Sequence, residues 1–114
     1  MFDGDFGKWV KRDLFGGKGE VTVQDLMGQR SMPPFAAVLA CELAPSGAVG
    51  VHRQSEAHEI VMCLAGKGRI SIGGEPSAFA PGTVVYMALG QTMALENGSP
   101  TEPLRYLIIK AKGS

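Results

Sequence analysis

Short apolar runs bounded by glycine or proline recur along the chain from about residue 20 onwards. The 16 glycines and 7 prolines are spread between these runs, and Gly73-Gly74 is typical of a two-residue hairpin turn. This rhythm is typical of an all-β sandwich or barrel, and no long apolar helical stripe suggests a βαβ architecture. The pattern predicts strands over residues 20–23, 35–43, 49–53, 59–64, 68–72, 83–87, 93–96 and 104–111.

The predicted strand 59–64 is apolar on both of its faces. Val61 and Cys63 alternate with Ile60 and Met62, whereas a strand with one solvated face should alternate apolar and polar residues. We therefore expect something to cover the outer face of this strand. A subunit interface or the N-terminal segment would do so.

The first eighteen residues differ from the rest of the chain. Their aromatic residues, among them Phe2, Phe6 and Trp9, are spaced roughly as in an amphipathic helix or in an arm that packs on something. Four glycines in the same stretch weaken the helical interpretation. We predict an N-terminal arm over 1–18 and a β-barrel domain over 19–114, with the arm covering its own barrel or exchanging with a second subunit.

Charge and composition narrow the classes of partner. Eleven basic residues balance eleven acidic ones in this 114-residue chain, so no net field attracts nucleic acid or an anionic membrane. No stretch approaches the ~20 apolar residues that span a bilayer, and residues 1–18 lack the apolar run of a signal peptide. We expect a cytoplasmic protein whose Cys41 and Cys63 are free thiols. Near-zero charge and the doubly apolar strand favour a homodimer.

Candidate chemistry is concentrated between His52 and Gly66. His52, Gln54 and Glu59 precede an apolar strand that ends at a glycine turn, and both histidines of the chain, His52 and His58, lie here. Imidazole, carboxamide and carboxylate groups can converge on a metal ion.

Two motifs in the chain resemble those of the cupin family. The first runs His52, Arg53, Gln54, four residues, Glu59, six residues and Gly66, with glutamine where the family has its second histidine. The second runs from Gly82 to Asn97 with the family's spacing. In it the family's proline is Ala88 and its ligand histidine is Met93. The resemblance covers about two-thirds of the chain.

This resemblance implies a small double-stranded β-helix, or jelly-roll barrel, of two antiparallel sheets with inward-pointing metal ligands. The implied ligands are His52, Gln54, Glu59 and Met93. Glutamine is a neutral oxygen donor and methionine is a soft ligand that favours Cu(I). We therefore expect Zn, Fe, Ni or Mn to be bound weakly or not at all, and any firm binding to go to Cu.

Each candidate also has a structural interpretation. His52 and Gln54 could serve only a hydrogen-bond network, and Glu59, facing a core, needs a partner that His52 or a metal could provide. By strand alternation His58 faces away from Glu59, and a one-residue shift of register would exchange the two. Met93 could be core filler, since methionine packs irregular gaps well. The inward thiols Cys41 and Cys63 would behave as small apolar groups or would suit a soft metal.

Two classes of function remain open. One is a small binding protein whose pocket holds a metal ion or a small organic ligand, without a specifiable reaction. The other is a metal-dependent enzyme of the dioxygenase, isomerase or decarboxylase type, in which Glu59 would bind metal or transfer a proton and His52 would anchor the metal. The loss of two imidazoles favours the first class. Segments 27–34 and 97–103 are expected to border the pocket opening.

Overall fold

The computed structural model describes residues 7–112, which form ten strands and one short 3₁₀ helix, Leu14–Gly16. The predicted strands agree with those observed to within about two residues at each end. The strands are β1 Gly7–Arg12, β2 Glu20–Asp25, β3 Phe35–Leu43, β4 Ala48–Arg53, β5 His58–Ala65, β6 Gly68–Ile72, β7 Glu75–Phe79, β8 Val84–Met87, β9 Thr92–Asn97 and β10 Leu104–Ala111.

The strands form two antiparallel sheets, which confirms the predicted all-β fold. The six-stranded sheet has the order β1-β2-β3-β10-β5-β8, and the four-stranded sheet has the order β4-β9-β6-β7. Strands distant in sequence lie side by side in both, so each half of the chain contributes to each sheet. At the predicted hairpin, Ile72 pairs with Glu75 and both glycines of the turn have positive φ, as a tight two-residue turn requires.

The apolar pattern of the sequence did not predict β1 and β7, and both strands lie at a sheet edge. All six residues of β1 are exposed, so no buried alternation marks it. β7 contains Pro76, which cannot donate a ladder hydrogen bond and is tolerated at an edge. The sequence signal is weak because no residue of β1 is buried and only Phe79 of β7 is buried.

The core lies between the two sheets and is built by strand alternation. Val61 and Cys63 on β5 are buried, whereas Ile60 and Leu64 on the same strand are exposed on the outer face. β9 alternates in the same way, with Met93, Leu95 and Asn97 buried. The fully buried side chains of largest volume are Phe79, Leu43, Ile70, Met87, Leu95, Leu104, Val21, Val61 and Cys63.

β4 contains a bulge that decides which of its side chains face the core. Val49 pairs with Leu95 and His52 pairs with Met93, so three steps along β4 match two along β9. One extra residue on β4 lets Val49 and His52 lie on the same inner side, while Val51 between them is 70% exposed. Without the bulge, alternation would turn His52 away from Val49.

Residues 7–17 of the N-terminal segment pack on the barrel of their own chain. β1 pairs with β2, so the helical alternative is wrong for residues 7–12; Phe2 and Phe6 lie outside the described residues. The 3₁₀ helix then crosses β4 at very short range. A Cβ at Gly50 would collide with the carbonyl oxygen of Phe15, and one at Gly17 with that of Ala48. None of residues 7–112 belongs to a helix with the length and apolarity needed to cross a bilayer.

Candidate functional site

A pocket of about 370 Å³ opens between the two sheets, beneath the N-terminal segment. Both sheets and the N-terminal segment contribute side chains to it, so the pocket exists only in the assembled barrel. Most of its walls are apolar. The lining residues are Trp9, Lys11, Leu14, Phe15, Val21, Val23, Leu39, Cys41, Val49, His52, Arg53, Gln54, Ser55, Glu56, Glu59, Met93, Tyr106, Ile108 and Lys110.

The four residues predicted as metal ligands all line this pocket. His52 on β4 and Met93 on β9 are register partners in the four-stranded sheet, Gln54 directly follows β4, and Glu59 is on β5 in the other sheet. The fold therefore brings the four side chains together from two sheets. Their role as metal ligands stays a prediction.

His52 is held in a partly apolar setting. The ring of Phe15 stacks on the imidazole with 4.2 Å between centroids and an interplanar angle of 13°. Burial is the main cause that lowers the pKa of His52, while the backbone of Gly50 acts in the opposite direction. Its Nδ1 is buried and has no hydrogen-bond partner among residues 7–112. The side chain of His52 thus lines the pocket, while its Nδ1 is enclosed by protein.

Glu59 is a buried carboxylate with one cationic neighbour. Its side chain is only 3% exposed, and Oε2 lies 3.8 Å from Nζ of Lys110, which is 34% exposed. Lys110 is the register partner of Glu59 on β10, so the sheet itself sets this contact. Burial raises the pKa of Glu59, and Lys110 partly counteracts that effect. The partner that a carboxylate facing the core needs is thus a lysine of the same sheet.

The two cysteines are free thiols, and they lie in different environments. Cys41 lines the pocket beside Tyr106, and burial raises the pKa of its thiol to about 12. Burial also raises the pKa of Tyr106 well above its usual value. Cys63 lies in the core, where its Sγ is 3.8 Å from the carbonyl oxygen of Ala65. In the metal-free protein burial thus favours the protonated thiol, and a protonated thiol is a poor nucleophile.

His58 lies away from the pocket, as strand alternation predicts. Its Nδ1 accepts the N–H of Leu89 at 3.2 Å and is 3.0 Å from the hydroxyl of Tyr86. The imidazole also stacks on the ring of Tyr86. These contacts join β5 to β8 and to the turn that follows it, so His58 has a structural role at the sheet edge.

The donor set fits a divalent metal ion poorly. Residues 7–112 contain no group of three or more His, Cys, Asp or Glu side chains that could hold a metal. Oε1 of Gln54 already accepts the N–H of Glu56 at 3.2 Å, within its own turn. Glu59, which is the only acidic member of the predicted set, faces the ammonium of Lys110. A cation beside Glu59 would meet a like charge at short range.

Several pocket residues were not found from the sequence. Lys110 and Tyr106 share the inner face of β10, and Trp9 and Phe15 come from the N-terminal segment. Lys110 lies two residues after Ile108 and four after Tyr106, so strand alternation places the three side chains on one face of β10. Alternation could therefore have identified Lys110 from the sequence. The expectation for the loops is wrong: neither 27–34 nor 97–103 lines this pocket, and Met27 and Pro34 border a separate surface depression.

Comparison with known proteins identifies a matching family and a relative of similar sequence. The family described as "Cupin domain" matches residues 39–110. An "Oxalate-binding protein" of Thermotoga maritima is 30% identical over 98 residues, which cover 85% of this chain and 80% of the relative.

Solved structures are similar over nearly the whole chain. The structure of a predicted oxalate decarboxylase of Thermotoga maritima superposes with a TM-score of 0.87 at 24% identity, covering 96% of this chain and 95% of the other. A cupin-2 domain of Rhodospirillum rubrum gives a TM-score of 0.81 at 19% identity, covering 100% of this chain and 76% of the other. At these identities the superpositions show a shared fold.

Proposed function

This chain belongs to the cupin domain family, and we propose that it binds a small organic ligand in its barrel pocket, with any metal ion held weakly. The lining of the pocket carries this proposal. A volume of about 370 Å³ with apolar walls and a few polar side chains is typical of small-molecule sites. The polar groups available to orient a ligand are His52, Gln54, Glu59, Tyr106 and Lys110.

The name of the relative supports a ligand of this kind. A protein that is 30% identical over most of both chains is called oxalate-binding. Oxalate is a small organic acid, and a pocket that contains basic side chains suits molecules of this class. The N-terminal segment, through Trp9 and Phe15, would shield a bound ligand from water.

A metal-dependent enzyme acting on a small organic substrate is the second candidate. One observation favours it, since the imidazole of His52 and the carboxyl group of Glu59 line the same pocket. The poor metal donor set favours the binding protein instead. Metal analysis of protein purified without an affinity tag separates the two: stoichiometric iron, nickel or manganese indicates the enzyme, whereas copper or no metal indicates the binding protein.

Thermal unfolding in the presence of small organic acids and neutral small molecules tests the proposed function. Ligands that enter the pocket should raise the Tm, because binding to the folded state alone stabilises it by mass action. Leu39→Trp, which fills the pocket from its wall, should abolish the rise.

A matched substitution serves as control. Leu89 is exposed and lies outside the pocket lining, so Leu89→Trp should leave the rise in Tm unchanged. If no compound of either class raises the Tm of the native chain, or if Leu39→Trp binds as well as the native chain, the pocket is not the ligand site.

A further inference from the structure

The inner face of β10 places a positive charge beside the only carboxylate of the predicted metal set. Tyr106, Ile108 and Lys110 alternate along the strand and all line the pocket. Lys110 is opposite Glu59 in the register, and the two charged atoms are 3.8 Å apart. The position next to Glu59, where a cation would complete the site, is therefore beside an ammonium group.

The side chains that line the pocket also carry a net positive charge. Three basic side chains line it, Lys11, Arg53 and Lys110, against two carboxylates, Glu56 and Glu59. Arg53 also donates to the carbonyl oxygen of Gly90 and so is held at the pocket margin. An apolar pocket with an excess of basic groups attracts an anion and repels a divalent cation.

The ammonium group of Lys110 has hydrogen-bonding capacity left for a ligand. At 3.8 Å the contact between Lys110 and Glu59 is an ion pair longer than a hydrogen bond, so the three donors of the ammonium are not committed to it. The Nδ1 of His52 also lacks a partner among the described residues, but it is enclosed by protein, so the ligand contact is assigned to Lys110 alone.

We propose that Lys110 takes the place of a metal ion in this pocket and binds the carboxylate of a small organic acid directly, an inference that rests on the proposed function of the pocket as a small-molecule site. The ammonium supplies the positive charge that a metal would otherwise supply. The apolar walls, including Leu39 and Ile108, contact the rest of the ligand.

Calorimetric titration of protein stripped of metal on a chelating resin tests this proposal. Oxalate and pyruvate serve as carboxylate probes, and oxamide is the neutral analogue of oxalate. We expect the metal-free chain to bind a carboxylate probe, to bind oxamide much more weakly, and to gain nothing from added Zn or Mn. Lys110→Met should weaken carboxylate binding about tenfold or more, since a hydrogen bond to a charged group is lost.

Three further variants distinguish the effect of losing the charge of Lys110 from the effect of losing the folded structure. Lys110→Arg keeps the charge and should retain most of the affinity. Lys110→Met combined with Glu59→Gln removes both charges, leaves no buried unpaired carboxylate, and should still lose carboxylate binding. Lys112→Met, outside the barrel pocket, should bind as the native chain does.

Carboxylate binding that needs added metal, that oxamide matches, or that survives both Lys110→Met variants would overturn the role of Lys110 while leaving the pocket as a small-molecule site. If neither the probes nor any other small molecule binds, the proposed function fails together with this inference.

Discussion

At the scale of single residues, the environment of His52 predicts a pH dependence of stability. Burial lowers the pKa of the folded imidazole below its ordinary value of 6.5, so the unfolded chain binds the proton more tightly. The stability that His52 contributes is therefore fully present above about pH 6.5 and is lost as the pH falls towards the lowered pKa. We expect the urea midpoint of the native chain to fall more steeply than that of His52→Gln between about pH 7 and pH 5.

The second histidine provides the control for this experiment. His58→Gln leaves the buried imidazole intact and should keep the steep fall of the native chain. Equal slopes for the native chain and His52→Gln would mean that burial does not disfavour protonation of this imidazole.

Restoring the family's histidines should create a metal site. Gln54→His together with Met93→His adds two imidazoles to a pocket that already holds His52 and Glu59. Because imidazole is a stronger donor than a carboxamide or a thioether for borderline divalent ions, we expect Zn affinity to rise severalfold or more in calorimetric titration. Adding Lys110→Met should raise it again, since a like charge is removed.

The same titration can contradict the ligand prediction. Tight binding of Zn or Fe by the native chain, or no gain in the double variant, would show that these four residues do not form the metal site. Firm binding by the native chain is expected only for copper, because Met93 is a soft donor.

At the scale of elements, the contact between the 3₁₀ helix and β4 holds Leu14 and Phe15 in the pocket lining. Gly50→Ala places a Cβ against the carbonyl oxygen of Phe15, which is backbone and cannot rotate away. Overpacking of this kind costs about 1–3 kcal/mol, so we expect urea unfolding to show a loss of that size. The stacking of Phe15 on His52 should also be disturbed, which the NMR shifts of the imidazole protons report.

Gly7→Ala, in β1, is the control for Gly50→Ala. Its Cβ would meet only the Cβ of Asp25 at 3.9 Å, an ordinary contact. We expect it to be as stable as the native chain. A stable Gly50→Ala with unchanged imidazole shifts would show that the helix does not need its close approach to β4.

At the scale of the whole molecule, the outer face of the six-stranded sheet predicts self-association. Ile60, Val84 and Tyr86 are 42%, 57% and 59% exposed on adjacent strands, and the formal net charge is +0. Contiguous apolar surface of this kind favours an interface. We expect a homodimer in sedimentation at micromolar concentration.

A pair of substitutions to lysine locates the interface. Ile60→Lys should give a monomer, whereas Val51→Lys, on an exposed residue of the other sheet, should leave the dimer intact. A native chain that sediments as a monomer at micromolar concentration would show that this face stays solvated.

Across the molecule, the pattern of short apolar runs bounded by turn residues was enough to predict an all-β fold. It located eight of the ten described strands, the hairpin at Gly73-Gly74 and the inward set of β5 with Glu59, because these depend only on local periodicity and turn chemistry. The two motifs also predicted which four side chains would share one pocket. Local pattern carries this information since eight of the ten described strands repeat it.

Other features of the site were decided only by tertiary structure. The bulge in β4 turns His52 to the inside, the pairing of β10 with β5 places Lys110 beside Glu59, and the 3₁₀ helix brings Phe15 onto the imidazole. Each depends on the register or close approach of segments far apart in the sequence. The period of a single strand does not encode which strand lies beside it, nor where an extra residue will be absorbed.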